Sequence, residues 1–260
     1  MSDEVFQRYT AYYDLLYGDK DYAAESDYVA RILHATAPEA RNLLEFGSGT
    51  GKHGRLLAKQ DYHVYGVERS EFMVDAAGRD HRSIPGCDKG SFDCVSGDIR
   101  TVELNRTFDA VIALFHVVSY QTSIGDVLNT FASAARHLAN GGVFFFDVWH
   151  GPAVLTERPS VRVKRVENEN VRLTRIAEPH LDCQANTVTV RYTIFAESKA
   201  DRRLTTFEEE HRMRYFFPTE IDLLSRQMGF RVDRSEAFLT ADPPGDKTWG
   251  VGYVLRKTAG

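Results

Sequence analysis

Cysteine is scarce: Cys87, Cys94 and Cys183 are the only three, an odd number with no CxxC spacing. That excludes a disulfide framework and a structural zinc site, and leaves reduced filler thiols. Positive charge is not in excess either, because 32 Lys and Arg stand against 37 Asp and Glu for a formal net charge of −5. A protein that grips nucleic acid through its phosphates needs a basic surplus, so that class is set aside. No stretch approaches the roughly 18 consecutive apolar residues that cross a bilayer. The opening Met1-Ser2-Asp3-Glu4 is acidic where a secretory signal is basic and then apolar. A cytoplasmic chain is expected, with neither nucleic acid nor membrane as partner.

What is present is ordinary globular material, 43% hydrophobic and 27% charged. At about 150 residues per domain, 260 residues make one elaborated domain or two small ones. The segment Asn42-Leu43-Leu44-Glu45-Phe46-Gly47-Ser48-Gly49-Thr50-Gly51 reads as a buried strand breaking into a tight loop before a helix over 52–59. Short apolar runs recur at 64–67, 94–96, 108–114 and 142–148, with helical stretches between them at 27–35 and 124–138, the latter stopped by Ala139-Asn140-Gly141-Gly142. This alternation predicts a parallel sheet covered on both faces. After Trp149 the period becomes two, as in 161–166, 187–194 and 211–215, which predicts antiparallel strands. Pro218-Thr219-Glu220 opens a helix through Met228, stopped by Gly229, and strands near 231–238 and 248–256 follow. The expected organisation is an N-terminal helical lid over 1–40, an α/β core over 41–150, an antiparallel β insertion over 151–217, and a helix with strands over 218–260 that complete the core sheet.

Glycines after a buried strand let the backbone turn and approach an anionic group without side-chain obstruction. Gly47-x-Gly49-x-Gly51 has that form, but a dinucleotide fingerprint wants its third glycine where Lys52 stands. Glu68 lies about 20 positions on, at the end of the second strand, where an acid takes ribose hydroxyls. Gly97-Asp98-Ile99 ends the third strand as a further element.

Together these residues resemble class I S-adenosylmethionine-dependent methyltransferases. The resemblance covers about 40–150 and implies a doubly wound, mostly parallel seven-stranded sheet of Rossmann-like type with an inserted antiparallel β platform. It implies S-adenosylmethionine as cofactor, with the loop glycines under the methionine part, Glu68 on the ribose and the Asp98 carboxylate accepting from the adenine amino group. The implied cofactor set is Glu45, Phe46, Gly47, Ser48, Gly49, Gly51, Glu68, Arg69, Met73, Asp98, Ile99, Leu114, Tyr17 and Tyr22. The usual Asp of the first motif is Glu45 here, a conservative departure.

A narrower resemblance spans most of the chain. Tyr13-Asp14-Leu15-Leu16-Tyr17, Lys20 to Glu25, Phe115-His116-Val117-Val118-Ser119-Tyr120 and the insertion from near Arg158-Pro159 are similar to bacterial N-methyltransferases of nucleotide-linked amino sugars. It implies a small-molecule acceptor, a nucleotide-linked deoxy amino sugar, and a homodimer. A methyltransferase of another small metabolite is the alternative, and an NAD-dependent oxidoreductase or a non-catalytic cofactor-binding protein stand further off.

Methyl transfer from a sulfonium is an in-line displacement with reacting atoms about 3–3.5 Å apart, so positioning dominates and no metal is required. His116, Tyr13 and Tyr120 are the catalytic candidates, His116 as the base that takes the amine proton. Phe115, Trp149, His150, Arg158 and Arg175 are the substrate candidates. Arg158, Arg162, Arg165 and Arg175 could meet phosphates, or mark the wet face of a sheet. Tyr9, Tyr12, Tyr13, Tyr17 and Tyr22 form either a lid or an apolar helix face. Asp147 either orients substrate or caps the next loop, and Glu208-Glu209-Glu210 reads as a solvated strand or turn.

Overall fold

The computed structural model describes residues 12–13, 15–79 and 89–258. Tyr9, Asp14 and Cys87 lie outside them, as does the rest of the expected lid before residue 12. The chain runs through α1 (Tyr22–Thr36), β1 (Asn42–Phe46), α2 (Lys52–Ala58), β2 (His63–Glu68), α3 (Glu71–Arg79), β3 (Ser91–Ser96), β4 (Phe108–Ala113), α4 (Ile124–His137) and β5 (Leu138–His150). It continues with α5 (Gly151–Glu157), β6 (Arg162–Glu167), β7 (Val171–Asp182), β8 (Thr187–Ser198), β9 (Leu204–Phe216), α6 (Pro218–Gln227), β10 (Phe230–Ala237) and β11 (Gly250–Lys257).

The first five strands are parallel in the order β3-β2-β1-β4-β5, and β11 then pairs antiparallel with both β5 and β10. Alternation along each strand sends side chains to opposite faces. Leu43, Ala110, Ile112 and Phe145 pack with Tyr28 and Leu33 of α1 and Leu57 of α2 on one face. Leu44, Phe46, Val111, Phe144 and Phe146 pack with Phe131 of α4 and Ile221 of α6 on the other. The sheet is thus covered on both sides, which is why its strands read as unbroken apolar runs.

The stop expected at 139–142 is instead the bulged start of β5. Leu138 already pairs with Phe108, the register slips, and Val143 then meets Ala110. Gly141 supplies the left-handed φ of +78° that this slip requires.

β6 to β9 form an antiparallel unit docked through a short parallel junction, Trp149 beside Tyr215 and His150 beside Phe216. β4 ends at Ala113, opposite Phe146, so β9 occupies the place beside β5 that β4 has left. Tyr12, Tyr13, Leu15, Leu16 and Tyr17 pack on Leu173, Ile194 and Ala196 of this unit. The N-terminal segment therefore leans on the insertion and closes over the end of the parallel sheet.

Phe144 carries the centre of one core layer, with ring centroids 4.8 Å from Phe146, 5.6 Å from Phe131 and 6.2 Å from Phe230. Phe144→Ala should cost about 3–5 kcal/mol, read as a lowered urea midpoint with an unchanged slope.

Candidate active site

β1 lies between β2 and β4, so the order of connections reverses there and a crevice opens at the carboxyl ends of the strands. The loop leaving β1 is pinned to β2 by Gly47 N–H and Ser48 N–H, which donate to Val67 O at 2.8 and 3.3 Å. Gly49 has φ +54°, and a Cβ built on it would meet only Met73 Sδ, at 3.9 Å. Its backbone is therefore bare toward a cavity of about 610 Å³, within the usual range of small-molecule sites.

Acids stand around this crevice, each neutralised in its own way. Glu68 accepts from Gly49 N–H at 3.0 Å and Ser70 N–H at 2.9 Å. Burial nonetheless pushes its carboxyl up. Asp98 accepts from Arg100 Nε at 2.9 and 3.1 Å and from Arg100 N–H at 2.9 Å, and the guanidinium hydrogen bonds hold it below the usual carboxylate range. Glu45 is buried beneath the loop, with Oε1 4.0 Å from His53 Nδ1. Burial and the neighbouring Glu68 push it up to about 8. His53 Nε2 in turn lies 2.7 Å from Glu25 Oε2, and Lys20 pairs with the same carboxylate.

The turn after β4 is left-handed at two successive residues, Phe115 (φ +63°) and His116 (φ +62°). Such backbone costs about 1–3 kcal/mol per residue unless its surroundings impose it. Asp147 imposes it here, accepting from His116 N–H at 3.1 Å and lying 2.6 Å from His116 Nδ1. Burial pushes the Asp147 carboxyl up, but the His116 partners outweigh it and hold it low. The turn aims Phe115 into the cavity, where its ring meets Tyr17 edge-on at 5.3 Å. The His116 ring faces Trp149 instead, at 6.1 Å.

The cavity brings together Gly47, Ser48, Gly49, Glu68, Arg69, Met73, Asp98, Ile99 and Leu114 with Tyr13, Tyr17, Tyr22, Phe115 and Tyr120. Several expected site residues are elsewhere. Glu45 sits under the loop, Phe46 belongs to the core, and Gly51 backs onto Phe92. His116 is not among the residues lining the cavity; Asp147 accepts from its backbone N–H and lies against its ring. Trp149 packs on Trp249 at 6.3 Å, His150 is buried behind the junction, and Arg158, Arg162 and Arg165 are exposed. Arg175 is not among the lining residues and donates to Oη of Tyr17, which is, at 3.1 Å.

Sequence reasoning missed Arg100, Gln121 and His211 among the lining residues. The run 208–210 is also corrected: Glu208 and Glu210 are exposed, but Glu209 is 4% exposed and pairs with His211. The signal was period two, since Glu209, His211, Met213 and Tyr215 share one face of β9.

A glycine loop and acids at successive strand ends, around a crevice at the carboxyl edge of a doubly wound sheet, define a nucleoside-cofactor-binding α/β protein. Residues 43–142 match the family model described as a methyltransferase domain. Over 189 residues the chain is 30% identical to the dTDP-4-amino-2,3,4,6-tetradeoxy-D-glucose N,N-dimethyltransferase of Saccharopolyspora spinosa, covering 73% of this chain and 72% of that one. Over 226 residues it is 29% identical to the dTDP-3-amino-3,4,6-trideoxy-alpha-D-glucopyranose N,N-dimethyltransferase of Streptomyces venezuelae, covering 86% and 90%. Among solved structures it is similar to S-adenosylmethionine-bound CalS10, an amino pentose methyltransferase from Micromonospora echinaspora, at 26% identity and a TM-score of 0.72 over 92% of each chain. The chain belongs to the class I S-adenosylmethionine-dependent methyltransferases, enzymes that use S-adenosylmethionine as cofactor.

The site fits that cofactor on its own chemistry. Gly49 presents unobstructed backbone, Glu68 presents a carboxylate at the cavity wall, and Asp98, paired with Arg100, lines the cavity with Ile99 and Leu114. Glu68→Gln should weaken S-adenosylhomocysteine binding by about 1–3 kcal/mol, measured by calorimetry. For Glu45, a folded-state pKa raised to about 8 means that the native state holds a proton the unfolded chain has released. Its stabilisation is complete below the unfolded value and is lost as pH rises through the folded one. Melting temperature should therefore fall between about pH 4.5 and 8 in the wild type, and Glu45→Gln should flatten that part of the profile.

Proposed function

We propose that this enzyme N-methylates the amino group of a nucleotide-linked deoxy amino sugar. The observation that carries the reading is the extent of the similarity to the Streptomyces venezuelae enzyme, 86% of this chain. That stretch is too long to be the cofactor core alone, and it takes in residues of the N-terminal segment or the insertion, which wall the far end of the cavity. In this reading Gly47, Ser48 and Gly49 underlie the methionine part, Glu68 takes the ribose hydroxyls and Asp98 the adenine amino group. When bound, the cofactor supplies an electrophilic methyl group on a sulfonium. The chain itself orients the two reactants: Leu114 and Phe115 separate the cofactor end from the acceptor end, while Tyr13, Tyr17 and Tyr120 surround the acceptor amine and exclude water. Arg175, whose guanidinium lies 5.5 Å from the Tyr17 ring centre, braces that wall.

A cytoplasmic location and a homodimer go with this reading. No described helix is long and apolar enough to cross a membrane. β6 is a free sheet edge with Val163 exposed, which suits pairing with a second copy.

The test is incubation with S-adenosylmethionine and either dTDP-3-amino-3,4,6-trideoxyglucose or dTDP-4-amino-2,3,4,6-tetradeoxyglucose, followed by mass spectrometry. Addition of one or two methyl groups is expected. S-adenosylhomocysteine binding without methylation of either sugar would remove this acceptor class.

A further inference from the structure

Tyr120 and His211 line the cavity, and Glu209 behind them completes a chain of three polar side chains that the cofactor motifs do not explain. A short 3₁₀ helix, Val117–Tyr120, follows the left-handed turn after β4 and ends on Tyr120. Tyr120 leaves 38% of its surface accessible, and it is among the residues lining the cavity. Its Oη lies 2.9 Å from His211 Nδ1, and His211 Nε2 lies 3.1 Å from Glu209 Oε2. His211 and Glu209 are 6% and 4% exposed, and Glu209 Oε1 is buried with no hydrogen-bond partner among the described residues.

We propose that Tyr120, His211 and Glu209 form the proton-accepting relay for the methyl acceptor, with His211 as its final holder. This rests on the amine-methylation reading above. An alkylamine enters largely as an ammonium, which has no lone pair and cannot attack. In the relay, an N–H bond of the ammonium breaks and its proton goes to Tyr120 Oη while the Tyr120 O–H proton passes to His211 Nδ1. The products are a neutral amine, an intact phenol and an imidazolium whose Nε2–H donates to the Glu209 carboxylate. No oxidant or metal enters, and one proton leaves for each methyl added.

The surroundings favour this direction of transfer. A tyrosine phenol is neutral at pH 7, so Tyr120, bonded to His211 Nδ1, serves as a conduit. Glu209 is the carboxylate that fixes the Nε2–H tautomer, which makes Nδ1 the acceptor in its contact with Tyr120 Oη. Burial pushes Glu209 up and the His211 partner opposes it. From β8 the Tyr192 ring meets the imidazole edge-on at 5.0 Å, and from β7 Arg175 lies 4.6 Å from the Tyr192 ring centre. Tyr13 and Tyr17 from the N-terminal segment and Glu68 from β2 also act on Tyr120.

The experiment measures kcat and KM against pH for wild type, His211→Asn, Glu209→Gln and Tyr120→Phe with the two dTDP-amino sugars. His211→Asn should lower kcat at pH 7 about 100-fold, with S-adenosylhomocysteine affinity and melting temperature retained. The deficit should shrink above about pH 9, where the amine is already neutral. Tyr120→Phe combined with His211→Asn should be no slower than either alone, because the two act as a unit. A deficit equal at every pH would mark a structural role and overturn the relay, as would an unaltered kcat in His211→Asn. If wild type methylates neither sugar, the acceptor class falls first, and the relay is then decided by nitrogen NMR of the S-adenosylhomocysteine complex. An Nε2-protonated His211 is expected there, and an Nδ1-protonated one would overturn the relay.

Discussion

The placement of β1 between β2 and β4 governs the rest of the molecule. Because the strands are parallel, all their carboxyl ends arrive at one edge, and because the winding reverses at β1, that edge is open. The arrangement delivers Glu45, Glu68, Asp98 and Asp147 into one neighbourhood. Each is met differently: burial and Glu68 push the Glu45 carboxyl up to about 8, Glu68 accepts backbone N–H groups, Asp98 takes Arg100, and Asp147 takes His116. The remaining negative potential suits a ligand that carries a sulfonium and an ammonium.

The shortness of β4 is the second constraint. Ending at Ala113, it releases the chain into a turn that no residue but glycine adopts easily, and Asp147 holds that turn from the neighbouring strand. The turn sets the direction of Phe115 and of the 3₁₀ helix behind it, so the buried carboxylate on β5 determines where Tyr120 stands. The space left beside β5 is filled by β9, and the insertion arrives against that same helix.

The parts of this site that were legible in sequence are those built by contiguous chain. The glycine loop with Glu68 and Asp98 could be read because strand, turn and acid follow one another at fixed spacing, and the core strands because burial on both faces leaves unbroken apolar runs. His116 could be read as a strand-end histidine, but not its partner, because Asp147 comes from the neighbouring strand. His211 was invisible because its role depends on which face of β9 meets Tyr120, a contact between residues 91 positions apart. The same holds for Glu209, which exposed neighbours on either side made look like solvated charge. The stop expected at 139–142 failed because a bulge accommodates glycines inside a strand as readily as a break does.

The polar chain at the acceptor end joins two structural units, Tyr120 from the parallel core and His211 with Glu209 from the insertion. Their junction is narrow, two residue pairs between β5 and β9, but Tyr215 and Phe216 at that junction are fully buried and Tyr215 packs with Val154, Val188 and Val190. A hydrogen bond of 2.9 Å tolerates little displacement before it weakens. The burial at the junction is therefore what holds Tyr120 and His211 in register across the two units. The N-terminal segment adds to this, since Tyr13 and Tyr17 rest on the insertion while lining the cavity that belongs to the core. The glycine loop and its acids belong to the core, whereas the complete cavity exists only when core, insertion and N-terminal segment are packed together. Changes of acceptor can arise on β7, β8 and β9 without disturbing the loop and acids that hold the cofactor.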